Sequence, residues 1–372
     1  MIIISDLEIS NGHGTGVLLK NIIDAVESED NIVLCKKMMN SPDGSIKHYL
    51  FDDYKLHRPS NLGIKLQLSE VLSFIYSRLK KSELAGIPLD KHKVVLIDIF
   101  SVEAMWAALK VMRLYPNKKY IVFMMDNFID FGDTEEGRLN KEVFTIIGNK
   151  AVKRFAISKN LALHLEEATG LRYDLFFGPR VVDWNKVDFY HSTKKENKIC
   201  LIGNAWVEDA LPVIDKQLRQ YNLKITWFTN PTKFEDLRNR FNLQSFTYGG
   251  SFSSSEVIQK ASSFKYGLIL YGLDKKAEIF NNLKLQEFSI PSKILDYCIG
   301  GLEPIYYGPD SSACFDFLSD HNLGVRVNST SAPDFFSKFD VYANTPVDFK
   351  RMKSILQNSS SEHFKSLTAN LF

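Results

Sequence analysis

Apolar positions along this chain fall into two alternating kinds of stretch. Short continuous runs at 1–5, 94–99 and 120–125, with 31–35 beside them, have the character of parallel strands covered on both faces. Between them, apolar residues recur at helical spacing over 17–27, 66–79, 103–114 and 161–169. The last of these follows a strand at 154–157, with Ser158 placed to cap it. The segment 40–62 has a loop-like composition, and over 176–198, which contains Pro179, the periodicity lapses. The alternation then restarts, with strands predicted at 198–202, 224–229, 246–248, 266–271 and 304–307. Helices are predicted at 210–221, 236–241, 255–262 and 291–298, and the tail 347–371 alternates in a helical manner. Strands alternating with helices call for parallel sheets flanked by helices. The lapse divides the chain into a first domain over 1–180, with the tail helix 347–372 packing back on it, and a second over 181–346.

Length supports the division, since 372 residues exceed one ordinary hydrophobic core. With 46 basic against 44 acidic residues the net charge is +2, which lacks the basic excess of a nucleic-acid binder. Cys35, Cys200, Cys298 and Cys314 lie far apart without a CxxC pair, and the first three, in apolar surroundings, read as small buried thiols of a reducing compartment. The first residues carry no basic leader, and no apolar run approaches the ~20 residues that span a bilayer. A cytoplasmic protein is expected, with any membrane contact peripheral. Lys55, His57, Arg58, Lys65 and the Lys80-Lys81 pair form the basic region best suited to approach a lipid-linked molecule, while the basic and aromatic tail fits either a membrane surface or a helix packed on the domains.

Three constellations carry candidate chemistry. Gly12, Gly14 and Gly16 lie between the first strand and its helix, around His13, where backbone amides can receive an anion or sugar oxygens. The spacing is not that of a dinucleotide fingerprint, and a tight structural turn explains it equally well. The second is 288–307. Pro291 fixes a helix start, so Ser292 and Lys293 bring amides and a cation to one point suited to a pyrophosphate, and Asp296 falls on the same face to accept from ribose hydroxyls. An ordinary surface helix with a Lys293–Asp296 ion pair is the alternative. The third is Asp126 and Asn127 at the end of the 120–125 strand, the edge where α/β folds bind ligands. Asp126 there serves as a general base or simply caps the next segment, with Asp98 as a rival. No His, Asp or Glu spacing marks a metal site, and the nucleophile elbow and Walker loop are missing.

The 288–307 segment resembles the Pro-Ser/Thr-Lys donor-site stretch of GT-B glycosyltransferases, above all those of family 4. Other pieces agree in order: 154–159, the Phe177-Gly-Pro-Arg180 junction, the strand opening at Lys198, and 248–271. Two departures stand out. Asp296 occupies the second position of that family's glutamate pair, while Phe288 falls at the first with Glu287 one place away, and the junction reads Gly-Pro-Arg rather than Asn-Gly.

The resemblance implies two Rossmann-like, doubly wound domains facing a cleft, with a C-terminal helix crossing back to the first. It implies a donor site drawn from Gly14, Gly16, Arg180, Gly203, Gly249, Tyr271, Ser292, Lys293 and Asp296. His13 and Asn127 would meet the acceptor, and Asp126 would be the catalytic residue. The implied donor is a UDP- or GDP-sugar, used without metal or cofactor and with retention of configuration, the leaving phosphate helping to deprotonate the acceptor. The implied acceptor is a glycan or lipid-linked saccharide in bacterial surface polysaccharide or glycoconjugate synthesis. A homo-oligomer and contact with the inner membrane face are compatible with this reading. Two rivals are an inactive GT-B-like stabilising subunit, suggested by the incomplete glutamate pair, and a bilobal solute-binding protein, opposed by the missing leader.

Overall fold

The structure, a computed structural model, describes residues 1–9, 14–26, 30–38, 46–51, 87–99, 101–126, 129, 131–205, 208, 210–271, 287–328 and 346–371. These separate into two compact units, Met1–Pro179 with Ser361–Phe372, and Arg180–Ser360.

The first unit opens with β1 (Ile2–Leu7), α1 (Gly14–Val26), β2 (Ile32–Lys37), β3 (Lys47–Leu50) and β4 (Val94–Asp98). It continues with α2 (Val102–Leu114), β5 (Lys119–Met124), α3 (Glu135–Lys150), β6 (Ala151–Ala156), α4 (Lys159–Thr169) and β7 (Asp174–Leu175). All strands pair in parallel in the order β3-β2-β1-β4-β5-β6-β7, so the winding reverses between β1 and β4. Ile2, Ile3, Ile4, Val95, Leu96 and Ile97 are fully enclosed, which is why these strands read as unbroken apolar runs. Ser101, Thr134 and Ser158 cap α2, α3 and α4 through their hydroxyls.

The second unit holds α5 (Trp184–Ser192), β8 (Glu196–Ile202), α6 (Ala210–Gln220), β9 (Ile225–Phe228), α7 (Pro231–Phe241), β10 (Phe246–Gly250) and α8 (Ser254–Ala261). Next come β11 (Phe264–Leu270), α9 (Lys293–Gly300), β12 (Glu303–Gly308), α10 (Ala313–Asp320), β13 (Val325–Asn328) and α11 (Phe349–Asn358). Its six parallel strands run β10-β9-β8-β11-β12-β13, with the reversal between β8 and β11. One face of the sheet is filled by Trp227, Phe234, Leu237, Ile214 and Leu218. Two doubly wound parallel sheets are the α/β architecture expected from the sequence, with the last helix, α12 (Ser361–Thr368), returned to the first unit.

Where the sequence predicts one helical tail, the structure has two helices with different allegiances. Helix α11 packs on α9 in the second unit, and α12 packs on α1 in the first. Phe364 of α12 stacks on Phe176 at 5.4 Å, which supplies the apolar reason for its return. Unpredicted elements are α3, α5, α10, β3, β7 and β13. Helix α5 lies where the sequence loses periodicity, yet Asp183 caps it, and Val187, Tyr190 and His191 are buried. The helix predicted over 66–79 and the basic positions from Lys55 to Lys81 lie outside the described residues.

Candidate functional site

In an open parallel sheet, ligands bind outside the strand carboxyl ends where the winding reverses. In the second unit that point lies between β8, which leads into Gly203 and Asn204, and β11, which leads into Tyr271. Helix α9 begins with Lys293, whose ammonium donates to the Asn204 carbonyl at 3.2 Å, so the helix start stands against the end of β8.

The seating of α9 depends on a glycine and a tyrosine. Tyr297 is fully buried, and its hydroxyl donates to the Leu268 carbonyl at 2.8 Å and accepts from the Ile202 amide at 3.3 Å. A β-carbon on Gly267 would stand 2.5 Å from the Tyr297 ring, so glycine in β11 is what lets the ring lie against the sheet. Tyr271 does similar work ahead of the helix. Its hydroxyl donates to the Ser289 carbonyl at 3.0 Å and its ring lies 5.6 Å from that of Tyr306, so it anchors the segment that turns into α9.

At the helix start, the Ile294 amide donates to the Pro291 carbonyl and the Leu295 amide to Ser292, at 3.1 and 3.0 Å. Ser292 is exposed, is the N-cap, and makes no side-chain cap bond. Lys293 thus places a cation at the end of a helix that is already positive, an arrangement that disfavours charge unless an anion is present. Enclosure by protein lowers the ammonium to about 8, with the Lys233 charge adding to the effect and Cys314 opposing it. The side chain is nonetheless partly exposed, and the ammonium bond to Asn204 lies on that exposed side.

The Lys293–Asp296 ion pair of the alternative reading is not formed. Asp296 is instead the buried partner of Arg180, whose guanidinium also donates to Ser254 Oγ at 3.4 Å. Burial lowers Arg180 to about 10. The structure therefore brings two predicted donor residues, Arg180 and Asp296, into contact with each other. Lys293 is left with a backbone carbonyl and no carboxylate among the described residues. The Arg180 amide further donates to the Ser359 carbonyl at 2.7 Å, which ties the entry of this unit to its exit.

The predicted glycines separate by cause. Gly203 adopts φ +75 with open space where a side chain would be, so backbone conformation alone requires glycine as the chain leaves β8. Gly249 needs glycine for packing, since a β-carbon would come within 2.8 Å of Thr226 and Phe228. Gly14 and Gly16 belong to the opening turn of α1 rather than to the turn before it. Gly12, His13 and Asn127 lie outside the described residues.

In the first unit the reversal lies between β1 and β4, and carboxyl groups collect there. Asp6 lies in β1, Asp98 ends β4, and Asp126 follows β5 and is partly exposed. Ser5 Oγ donates to Asp98 Oδ2 at 3.2 Å, and Ser101, the cap of α2, donates to Asp6. Asp6 is a residue that sequence reasoning missed. Its signal is an acidic side chain late in an apolar strand next to the one ending in Asp98. Among the described residues no three His, Cys, Asp or Glu side chains gather as a metal would need, and no helix is long and apolar enough to cross a membrane.

No protein-family model matches the chain, and no curated protein matches it significantly in sequence. Solved structures do match in fold. A crystal structure of Anabaena Alr3699/HepE in complex with UDP and glucose aligns with TM-score 0.61 and 8% identity, covering 99% of this chain and 98% of that one. A structure described as trehalose-6-phosphate from E. coli bound with UDP-2-fluoro glucose aligns with TM-score 0.60 and 10% identity, over 99% of this chain. AviGT4, a glycosyltransferase involved in avilamycin A biosynthesis, aligns with TM-score 0.54 and 11% identity over 100% of this chain and 97% of that one. At such identities the likeness concerns the fold.

Proposed function

We propose that this protein is a glycosyltransferase of the family 4 type that moves a sugar from a nucleoside diphosphate donor to a glycan or lipid-linked saccharide. The observation that carries the reading is Lys293. It is a cation at a helix N-terminus, at the reversal point of a parallel sheet, with no carboxylate partner among the described residues. A diphosphate supplies the missing anion, and the same groups stabilise the charge that builds on it as the glycosidic bond breaks. The fold shared with structures solved with UDP or UDP-sugar analogues supports a UDP-sugar donor ahead of a GDP-sugar.

On this reading Gly203, Ser292 and Lys293 touch the donor phosphates. Arg180, Tyr271, Gly249 and Asp296 hold the frame around them. Asp126 orients or deprotonates the acceptor hydroxyl. Retention, with the leaving phosphate sharing the proton transfer, is the stereochemical proposal, and any membrane contact takes place at the inner face. A thermal-shift screen of UDP, GDP, ADP and CMP with their sugars tests the donor class. A nucleotide at a hundred times its Kd stabilises by ~2.7 kcal/mol, a readily measured shift. Stabilisation by none of them, or an equal shift with Lys293→Ala, contradicts the assignment.

A further inference from the structure

The reversal point of the first unit carries a carboxyl group whose role the proposed reaction leaves open. Asp98 ends β4 with no exposed surface. Its Oδ2 accepts one hydrogen bond, from Ser5 at 3.2 Å, and its Oδ1 is buried without a partner among the described residues. The groups around it are acidic or already committed. Asp6 on β1 receives the Ser101 hydroxyl from the start of α2, and Asp126 follows β5. An ionised carboxylate with one hydroxyl donor, no cation among the described residues and two acidic neighbours is strongly disfavoured in full burial. Burial, then Asp6 and Asp126, push Asp98 well above the usual carboxylate range, against the Ser5 bond.

We propose that Asp98 is held as a neutral carboxylic acid, and that its neutrality keeps the neighbouring Asp126 ionised, so that Asp98 acts on the chemistry only through Asp126. Of the two, Asp98 is enclosed and Asp126 reaches solvent, so one proton between them settles on Asp98. A charge on Asp98 would instead raise the proton affinity of Asp126 and blunt it as an acceptor of protons. The role of Asp126 in transfer rests on the function proposed above, while the protonation of Asp98 does not.

The test is carboxyl carbon NMR of the full chain labelled at aspartate, titrated with pH, with resonances assigned by their loss in Asp98→Asn and Asp126→Asn. One resonance is expected to keep the protonated shift through neutral pH and to vanish in Asp98→Asn. The Asp126 midpoint should be the same in wild type and Asp98→Asn, since asparagine reproduces a neutral neighbour. An ionised Asp98 resonance at neutral pH overturns the proposal, and so does an Asp126 midpoint that falls in Asp98→Asn. The wild-type titration stands by itself if the variant fails to fold. Where transfer is measured, Asp98→Asn should keep kcat and the acid limb of its pH profile. If no nucleotide sugar supports transfer, the glycosyltransferase reading fails while the titration still decides the state of Asp98.

Discussion

Replacing Gly267 by alanine requires room for one methyl group where the Tyr297 ring already lies. The new β-carbon would stand 2.5 Å from Cδ1 and 2.6 Å from Cε1 and Cγ, so the ring must retreat by about 1 Å to reach ordinary contact. It is fully buried and held by the Leu268 carbonyl and the Ile202 amide, so retreat also stretches two hydrogen bonds. Overpacking of this kind costs about 1–3 kcal/mol. For a unit of this size that corresponds to a Tm lower by roughly 2–12 °C. The same displacement reaches the helix start, because Lys293 precedes Tyr297 by one turn of α9. Misplacement on that scale weakens a positioned contact by up to about a hundredfold. Differential scanning calorimetry together with nucleotide titration measures both effects. Tyr297→Phe separates them: it keeps the ring, loses the two hydroxyl bonds, and should lower stability by ~1–3 kcal/mol with a smaller effect on binding. A Gly267→Ala protein that melts and binds like wild type would refute the idea that this contact seats the helix.

Two further perturbations follow from the buried charges and from the first unit. Arg180→Met leaves Asp296 charged and enclosed, and should destabilise by about 3–5 kcal/mol in denaturant titration, whereas Arg180→Met with Asp296→Leu should recover much of the loss. Equal costs for the single and double variants would show that the ion pair is not what the two side chains contribute. Asp126→Asn keeps shape but not proton acceptance, and should slow transfer on the order of 10²–10⁴-fold if Asp126 is the sole base. A smaller loss with a retained anomeric configuration fits proton transfer to the leaving phosphate, and a near-normal rate removes Asp126 from the chemistry.

The parts of this account legible in the sequence are those that one local pattern specifies. Strands β1, β4 and β5 show as apolar runs because helices cover both faces of their sheet, and Pro291 with Ser292 marks the start of α9 within two residues. Helix α3 is not legible in the sequence although Thr134 caps it. Its buried face consists of Gly137, Asn140, Val143, Phe144, Ile147 and Gly148, in which small and polar residues break the apolar stripe. The tail looked continuous because both its helices are amphipathic, and nothing local states which unit each one packs against. The choice of Arg180 over Lys293 as the partner of Asp296 spans 116 residues and is set by tertiary packing. The dependence of α9 on Gly267 is likewise long-range. A glycine inside a strand announces a close approach, but the approaching side chain shows only in three dimensions.

If a nucleoside diphosphate binds at the start of α9 on the Lys293 ammonium, isothermal titration of UDP must distinguish wild type from Lys293→Ala. A charge-assisted bond of ~1.5–3 kcal/mol predicts roughly 10- to 150-fold weaker binding in the variant, with the fold intact. The pH dependence supplies the sign. The free ammonium lies at about 8, and a bound anion raises it, so binding takes up a proton above that pH. Affinity should therefore be flat from about pH 7, above the titration of the UDP phosphate at about 6, to about pH 8. Above that it should fall by up to about tenfold per pH unit, and that fall should be absent in Lys293→Ala. Equal affinities for the two proteins, with the same pH profile, would contradict the donor site and with it the proposed function.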